Sequence, residues 1–406
     1  MDPIILHDWS AFAIRWLHVV TAIAWIGSSF YFIALDLGLQ KAPGLPEGAH
    51  GEEWQVHGGG FYHITKYLVA PARMPEHLTW FKWESYATWL TGVAMLAVLY
   101  WAQSELFLID PAKWALAPWQ AILISAGSLV VGWVIYDFLC KSPLGENPTT
   151  LMVLLFVLLV VMAWGYDQVF TGRAALLHLG AFTATIMTAN VAMIIIPNQR
   201  IVVRDLKAGR KPDPKYGKIA KLRSTHNNYL TLPVVFLMLS NHYPLAFASR
   251  YNWLIAALVF LMGVTIRHFF NTKHARKAWP WWTWGVTVAL FLACVWLSSL
   301  GTQRLPAEER LTPAQARLTA DPHFEQVRDI VLGRCSMCHA AEPSWDGIAT
   351  APRRIVLETD AQIARAAREI FVQSGLTDAM PPANVSFMEP EERAAIRAWF
   401  ASGARG

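Results

Sequence analysis

Trp16-Leu17-His18-Val19-Val20-Thr21-Ala22-Ile23-Ala24-Trp25-Ile26-Gly27-Ser28-Ser29-Phe30-Tyr31-Phe32-Ile33-Ala34-Leu35 lies between Arg15 and Asp36 and carries no charged side chain. As a helix with 1.5 Å rise per residue it extends about 30 Å, the thickness of a bilayer's hydrocarbon core. Similar uncharged stretches follow at 85–104, 118–136, 149–166, 174–197, 228–246, 251–267 and 281–300. They predict eight membrane spans. The pair 228–246 and 251–267 is the least regular, since the first contains Pro233 and Pro244 and the second is short. Met1 to Ser10 has no basic residue, so the first run reads as a retained span rather than a cleaved signal.

Whole-chain composition agrees. Hydrophobic residues make up 54% and charged residues 16%, whereas soluble domains are about one-quarter charged. A soluble globule, a disordered chain and a disulfide scaffold are therefore excluded. The net charge of +5 does not indicate nucleic acid, because the cations sit in short stretches between apolar runs. Eight spans place 36–84, 137–148, 198–227 and 267–280 on one side, with 18 basic residues against four (Arg15, Lys113, Arg173 and Arg250) on the other. The positive-inside bias puts the first side in the cytoplasm and both termini outside it.

After the last span, Pro306, Glu308, Glu309 and Pro313 mark a linker. The predicted organisation is an integral membrane domain over 1–300, a linker over 301–320 and a small helical domain over 321–406. Helices are expected at about 322–333, 361–374 and 390–401. The first should bury Phe324, Val327, Ile330 and Val331, and the last Ile396, Trp399 and Phe400.

Cys335-Ser336-Met337-Cys338-His339 opens that domain. Two thiols at this spacing suit thioether attachment of haem, with the adjacent imidazole on the iron. A redox dithiol and half a zinc site are the competing readings. Zinc lacks ligands, because no later cysteine follows and His323 is the only other histidine in the domain. The expected sixth ligand is Met380, in Ala-Met-Pro-Pro, with Met388 as the alternative. The fold class is thus all-α, a polytopic transmembrane bundle followed by a cytochrome c-type domain with one covalent haem c. Bacterial cytochromes c acquire haem outside the cytoplasm, on the side the charge count gives the C-terminus.

Ionisable groups inside spans are costly and point to function. His18, His178 and His242 are expected near the outer face. They are either helix-capping or interhelical hydrogen-bonding groups or, two of them, axial ligands of a second, non-covalent haem, with a quinone or metal site as the remaining reading. His226 and His268 lie toward the cytoplasmic side, as do His57 and His63 in the 36–84 connection. That connection holds Val-His-Gly-Gly-Gly-Phe-Tyr-His at 56–63, read either as a loop with an amphipathic surface helix or as a lid over the cytoplasmic face.

The chain resembles the bacterial membrane-bound, cytochrome-c-fused urate oxidases along nearly its whole length. The resemblance rests on Arg15-Trp16-Leu17-His18 with Ala24-Trp25-Ile26-Gly27, the stretch Trp54 to Lys66, His178-Leu179-Gly180, Thr188-Ala189-Asn190-Val191 and Ile-Pro-Asn-Gln-Arg at 196–200. His226-Asn227-Asn228-Tyr229, Asn241-His242-Tyr243-Pro244 and the haem motif complete it. It implies oxidation of urate to 5-hydroxyisourate, with electrons leaving through the c haem to a respiratory acceptor such as a cytochrome c or an oxidase. A bacterial inner-membrane location with a periplasmic cytochrome domain is implied as well. An anionic purine calls for a cation and amide donors, and the candidate residues are His57, His63, Asn190 and His226. The rival reading is an electron relay between quinol and a terminal oxidase, with no purine chemistry.

Overall fold

The computed structural model describes residues 3–68, 71, 75–301, 311–346, 348 and 350–403. Two compact units are formed, Met1–Ile109 with Leu116–Gln303, and Asp110–Ala115 with Arg304–Gly406.

The first unit is built on long helices: α1 (Pro3–Gly38), α2 (Trp83–Leu96), α3 (Pro118–Lys141), α4 (Pro148–Val169), α5 (Gly172–Ala189), α6 (Pro214–Ser240), α7 (Asn252–His274) and α8 (Trp282–Gly301). A π-helical turn, Ala97–Trp101, prolongs α2, and a second, Asn190–Ile195, joins α5 to a further helix Ile196–Lys207. Among the described residues six helices are long and apolar enough to cross a membrane: Ile5–Gly38, Pro118–Lys141, Pro148–Val169, Gly172–Lys207, Asn252–His274 and Trp282–Leu300. The other two expected spans are also helical, in α2 with its π turn and in α6, but fall outside that set. Polar and basic residues fill the first half of α6 and lower its apolar character.

Local chemistry sets the helix ends. Asn147 caps α4, its Oδ1 accepting from the Thr149 and Thr150 N–H groups at 3.0 and 3.1 Å, with Pro148 at the first position. Thr171 and Asp213 cap α5 and α6 in the same way. The π turn at Asn190–Ile195 has its own cause. Pro197 has no N–H to donate and its ring crowds the preceding turn, and the wider turn upstream absorbs the mismatch.

Packing is apolar on both faces of a helix. α4 buries Leu151, Leu155, Leu159 and Ala163 at four-residue spacing, yet exposes Val153, Val157, Val161 and Trp164 on the opposite side. Exposed valines in such a row suit hydrocarbon rather than water. Helices approach closely where glycine allows it. A Cβ on Gly132 would lie 1.8 Å from Phe182, and one on Gly263 would lie 2.5 Å from the Pro233 ring.

The 36–84 connection departs from the surface-helix expectation. It forms an antiparallel hairpin, β1 (Ala49–His57) with β2 (Gly60–Tyr67), with Trp54 opposite His63 and His57 opposite Gly60. Gly58 and Gly59, at φ of +58° and +79°, make the two-residue turn that a right-twisted hairpin prefers. Alternation of side chains around that glycine pair, rather than helical spacing, decides the element.

The second unit carries α9 (Pro313–Thr319), α10 (Phe324–Arg334), α11 (Asp360–Arg365) and α12 (Pro390–Gly403), with single helical turns between them. Phe324, Val327, Ile330 and Val331 are buried, as are Ile396 and Trp399, and Phe400 stacks on Phe371 at 4.5 Å. The Trp399 indole donates to the Leu318 carbonyl at 2.9 Å, which ties α12 to α9.

Candidate functional sites

In the second unit, α10 ends at Arg334 and delivers Cys335 directly into a single turn, Ser336–His339. Cys335, Cys338, His339 and Met380 all line one cavity of about 440 Å³, walled by Ile355, Leu357 and Ile370. The His339 Nδ1–H donates to the Ile355 carbonyl at 2.8 Å. A carbonyl can only accept, so the tautomer is set and Nε2 keeps its lone pair. Met388 is buried but does not line this cavity. Burial, with Cys338 and Glu392 adding to it, pushes the Cys335 thiol up to about 12. A redox dithiol needs the opposite shift.

Arg393 holds the segment that presents Met380. Its guanidinium donates to the carbonyls of Ser374 at 2.8 Å and Met380 at 3.0 Å, while the Met380 N–H donates to the Gln373 carbonyl. Arg334 pairs with Glu392 through both carboxylate oxygens at 3.0 Å and donates to the Ser386 carbonyl.

The first unit buries a polar cluster between α3, α5 and α6. Arg223, His226 and Asn227 share one face of α6 at spacings of three and four residues. The Arg223 guanidinium donates to Asp137 at 2.6 Å and to the Asn190 amide oxygen at 3.1 Å, and lies 4.9 Å from the Tyr136 ring centroid. Asn190 donates to the Tyr136 hydroxyl at 3.0 Å and to Asn227 at 3.1 Å. Tyr136 also meets His226 Nδ1 at 2.7 Å. His226 Nε2 is left buried with no partner among the described residues. Lys141 also pairs with Asp137, at 2.6 Å. Arg223, Asp137 and Lys141 together carry one positive charge.

Of the four candidate catalytic residues, this cluster unites Asn190 and His226. His57 and His63 stand apart on the exposed hairpin. His63 stacks on Trp54 at 4.2 Å and pairs with Glu52 at 2.7 Å, a cross-strand role. The sequence reading missed Tyr136, Asp137 and Arg223. Asp137 closing an uncharged run, and Arg223 one turn before His226, are the signals that point to them.

The three outer histidines are not brought together. His178 is fully buried with both nitrogens engaged. Nδ1–H donates to the Ala174 carbonyl and Nε2 accepts from Ser125, which itself accepts from the Trp101 indole. His242 is exposed in the turn after α6. His18 faces a separate apolar cavity of about 370 Å³ that also meets Trp25, Trp89, Tyr100 and Asn227. It packs at Thr88–Gly92 of α2, whereas His178 packs on Tyr100, about 12–18 Å further along by helical rise.

No curated protein and no solved structure matches the chain. Residues 4–298 match the family described as urate oxidase N-terminal. Spanning well over half of the 406 residues, that match makes the chain a member of the urate oxidase N-terminal family.

Proposed function

We propose that the chain is a membrane-embedded urate-oxidising enzyme that converts urate to 5-hydroxyisourate and passes the electrons to a respiratory acceptor by way of a covalent haem c. The helical unit crosses the bacterial inner membrane eight times, with both termini and the cytochrome domain on the periplasmic side. Overall, urate and one water give 5-hydroxyisourate, two protons and two electrons.

The observation that carries the substrate site is the buried, unpartnered His226 Nε2 beside a cluster of net positive charge. A planar anion with N–H edges supplies what this site lacks. With Nδ1–H donating to Tyr136 and keeping the imidazole in register, Nε2 accepts the substrate's N–H and takes that proton as electrons leave the ring. Arg223 is locked to Asn190 and to Asp137, so the donors are held in place before substrate arrives.

For the cofactor, the cavity holds two thiols, an imidazole with its Nε2 lone pair uncommitted and a thioether, a donor set that fits a haem. Bound there, the haem supplies a one-electron acceptor. Cys335 and Cys338 would attach it, His339 and Met380 would hold its iron, and Arg393 keeps the Met380 segment seated.

The test is anaerobic. Urate added to the oxidised full-length protein is expected to bring up the reduced haem α-band, with one urate consumed per two electrons. A haem that stays oxidised, with no urate consumed even when a cytochrome acceptor is supplied, overturns the enzyme. Reduction by quinol but not by urate would identify the relay instead.

A further inference from the structure

His18 is placed differently from the other intramembrane histidines. Its Nδ1 lies 3.0 Å from the Thr88 carbonyl and 3.0 Å from Thr91 Oγ1. Because a carbonyl only accepts, Nδ1 carries the hydrogen and Nε2 carries the lone pair. An imidazole fixed through Nδ1–H to a backbone carbonyl is how proteins commonly orient a metal-ligating histidine. Gly92 opposite leaves the ring its space, since a Cβ there would lie 3.1 Å from His18 Cε1. A histidine kept only for helix packing has no need of an open ring nitrogen, and His178 shows the alternative, with both nitrogens closed.

What His18 faces is large and apolar. The cavity is walled by Trp25, Trp89, Leu96 and Leu129, with few polar groups. Its volume of about 370 Å³ is close to the 440 Å³ of the cavity that holds the Cys-x-x-Cys-His motif in the second unit.

We infer that this cavity binds a second, non-covalent haem through His18 Nε2. Among the described residues only one imidazole serves it. His178 is engaged at both nitrogens and His242 is outside the cavity, so a bis-histidine site is not formed. The inference does not depend on urate chemistry or on the covalent haem, which are read separately.

The experiment uses the full-length holoprotein. Acid–acetone extraction separates non-covalent haem from the covalently held fraction, and each is measured as its pyridine haemochrome. About one extractable b-type haem per chain is expected. His18→Gln should lower it by at least about 10-fold, since disturbing even a group that only supports a metal ligand costs that much, with covalent haem unchanged as the control for folding. His18→Gly supplemented with imidazole should recover it. Wild-type protein with covalent haem only overturns the inference. So does extractable haem that survives both substitutions, or an extract containing a stoichiometric quinone and no haem. Loss of the covalent fraction alone would count against the cytochrome reading and leave this one standing.

Discussion

His226 and Tyr136 show how much one contact decides at the scale of a residue. The imidazole is placed on α6 and the phenol on α3, and the 2.7 Å bond between them sets which ring nitrogen stays open. His226→Phe keeps the volume and removes the base. It is expected to lower the rate of haem reduction by urate by about 10²–10⁴-fold with covalent haem unchanged. Tyr136→Phe leaves the base but frees the ring, and a loss of about 10-fold is expected, matching one hydrogen bond. Stopped-flow reduction under anaerobic conditions measures both. A His226→Phe rate within about twofold of wild type would remove His226 from the chemistry. His226 was visible in the sequence as an ionisable group beside a span. Its partner was not, because nothing local links residue 136 to residue 226.

At the scale of elements, spacing and caps account for the helices and close packing accounts for their contacts. α3 and α5 meet where Gly132 admits the Phe182 ring. Gly132→Val puts methyl groups where that ring sits, at a cost of about 1–3 kcal/mol for overpacking. The thermal midpoint of the helical unit should fall, and Phe182→Leu added to it should recover part of the loss. Equal losses in the single and double variants would show that the two residues do not share a contact. The hairpin is the element the sequence reading left open. Glycines at 58–60 mark a break in the chain, and yet the strands on either side depend on pairing between residues up to 18 positions apart, such as Ala49 with Tyr67.

Taken as whole molecules, the two units are stabilised differently. The helical unit has apolar surface on both sides of its spans, while the second unit closes on itself through contacts between its ends. Asp321 before α10 accepts from Ser402 at the end of α12 at 2.6 Å and from the His323 N–H at 2.9 Å. Burial pushes its carboxyl upward, but the bonds from Ser402 and His323 outweigh this and hold it below the ordinary carboxylate range. A depressed folded-state value stabilises the fold above the unfolded-state value of about 4. That contribution is lost as pH falls through the folded-state value. The thermal midpoint of the second unit should therefore drop below about pH 4, and Asp321→Asn should flatten that acid limb. An acid limb unchanged by the substitution would assign it to other carboxylates.

Segments of uncharged residues, the placement of cations, the Cys-x-x-Cys-His motif and the apolar spacing of α10 and α12 could all be read along the chain. Each is a local pattern, and helices and thioether motifs are governed by residues within a few turns of one another. What required the tertiary structure was the company each polar residue keeps. Arg223 was one of the 18 basic residues of the connections until α3 supplied Asp137 and Tyr136, and His18 and His178, expected together, separated once their contacts along α2 and its π turn fixed their levels. Hydrogen bonds in a helical bundle join residues up to a hundred positions apart, and which of them meet is decided by how the helices pack.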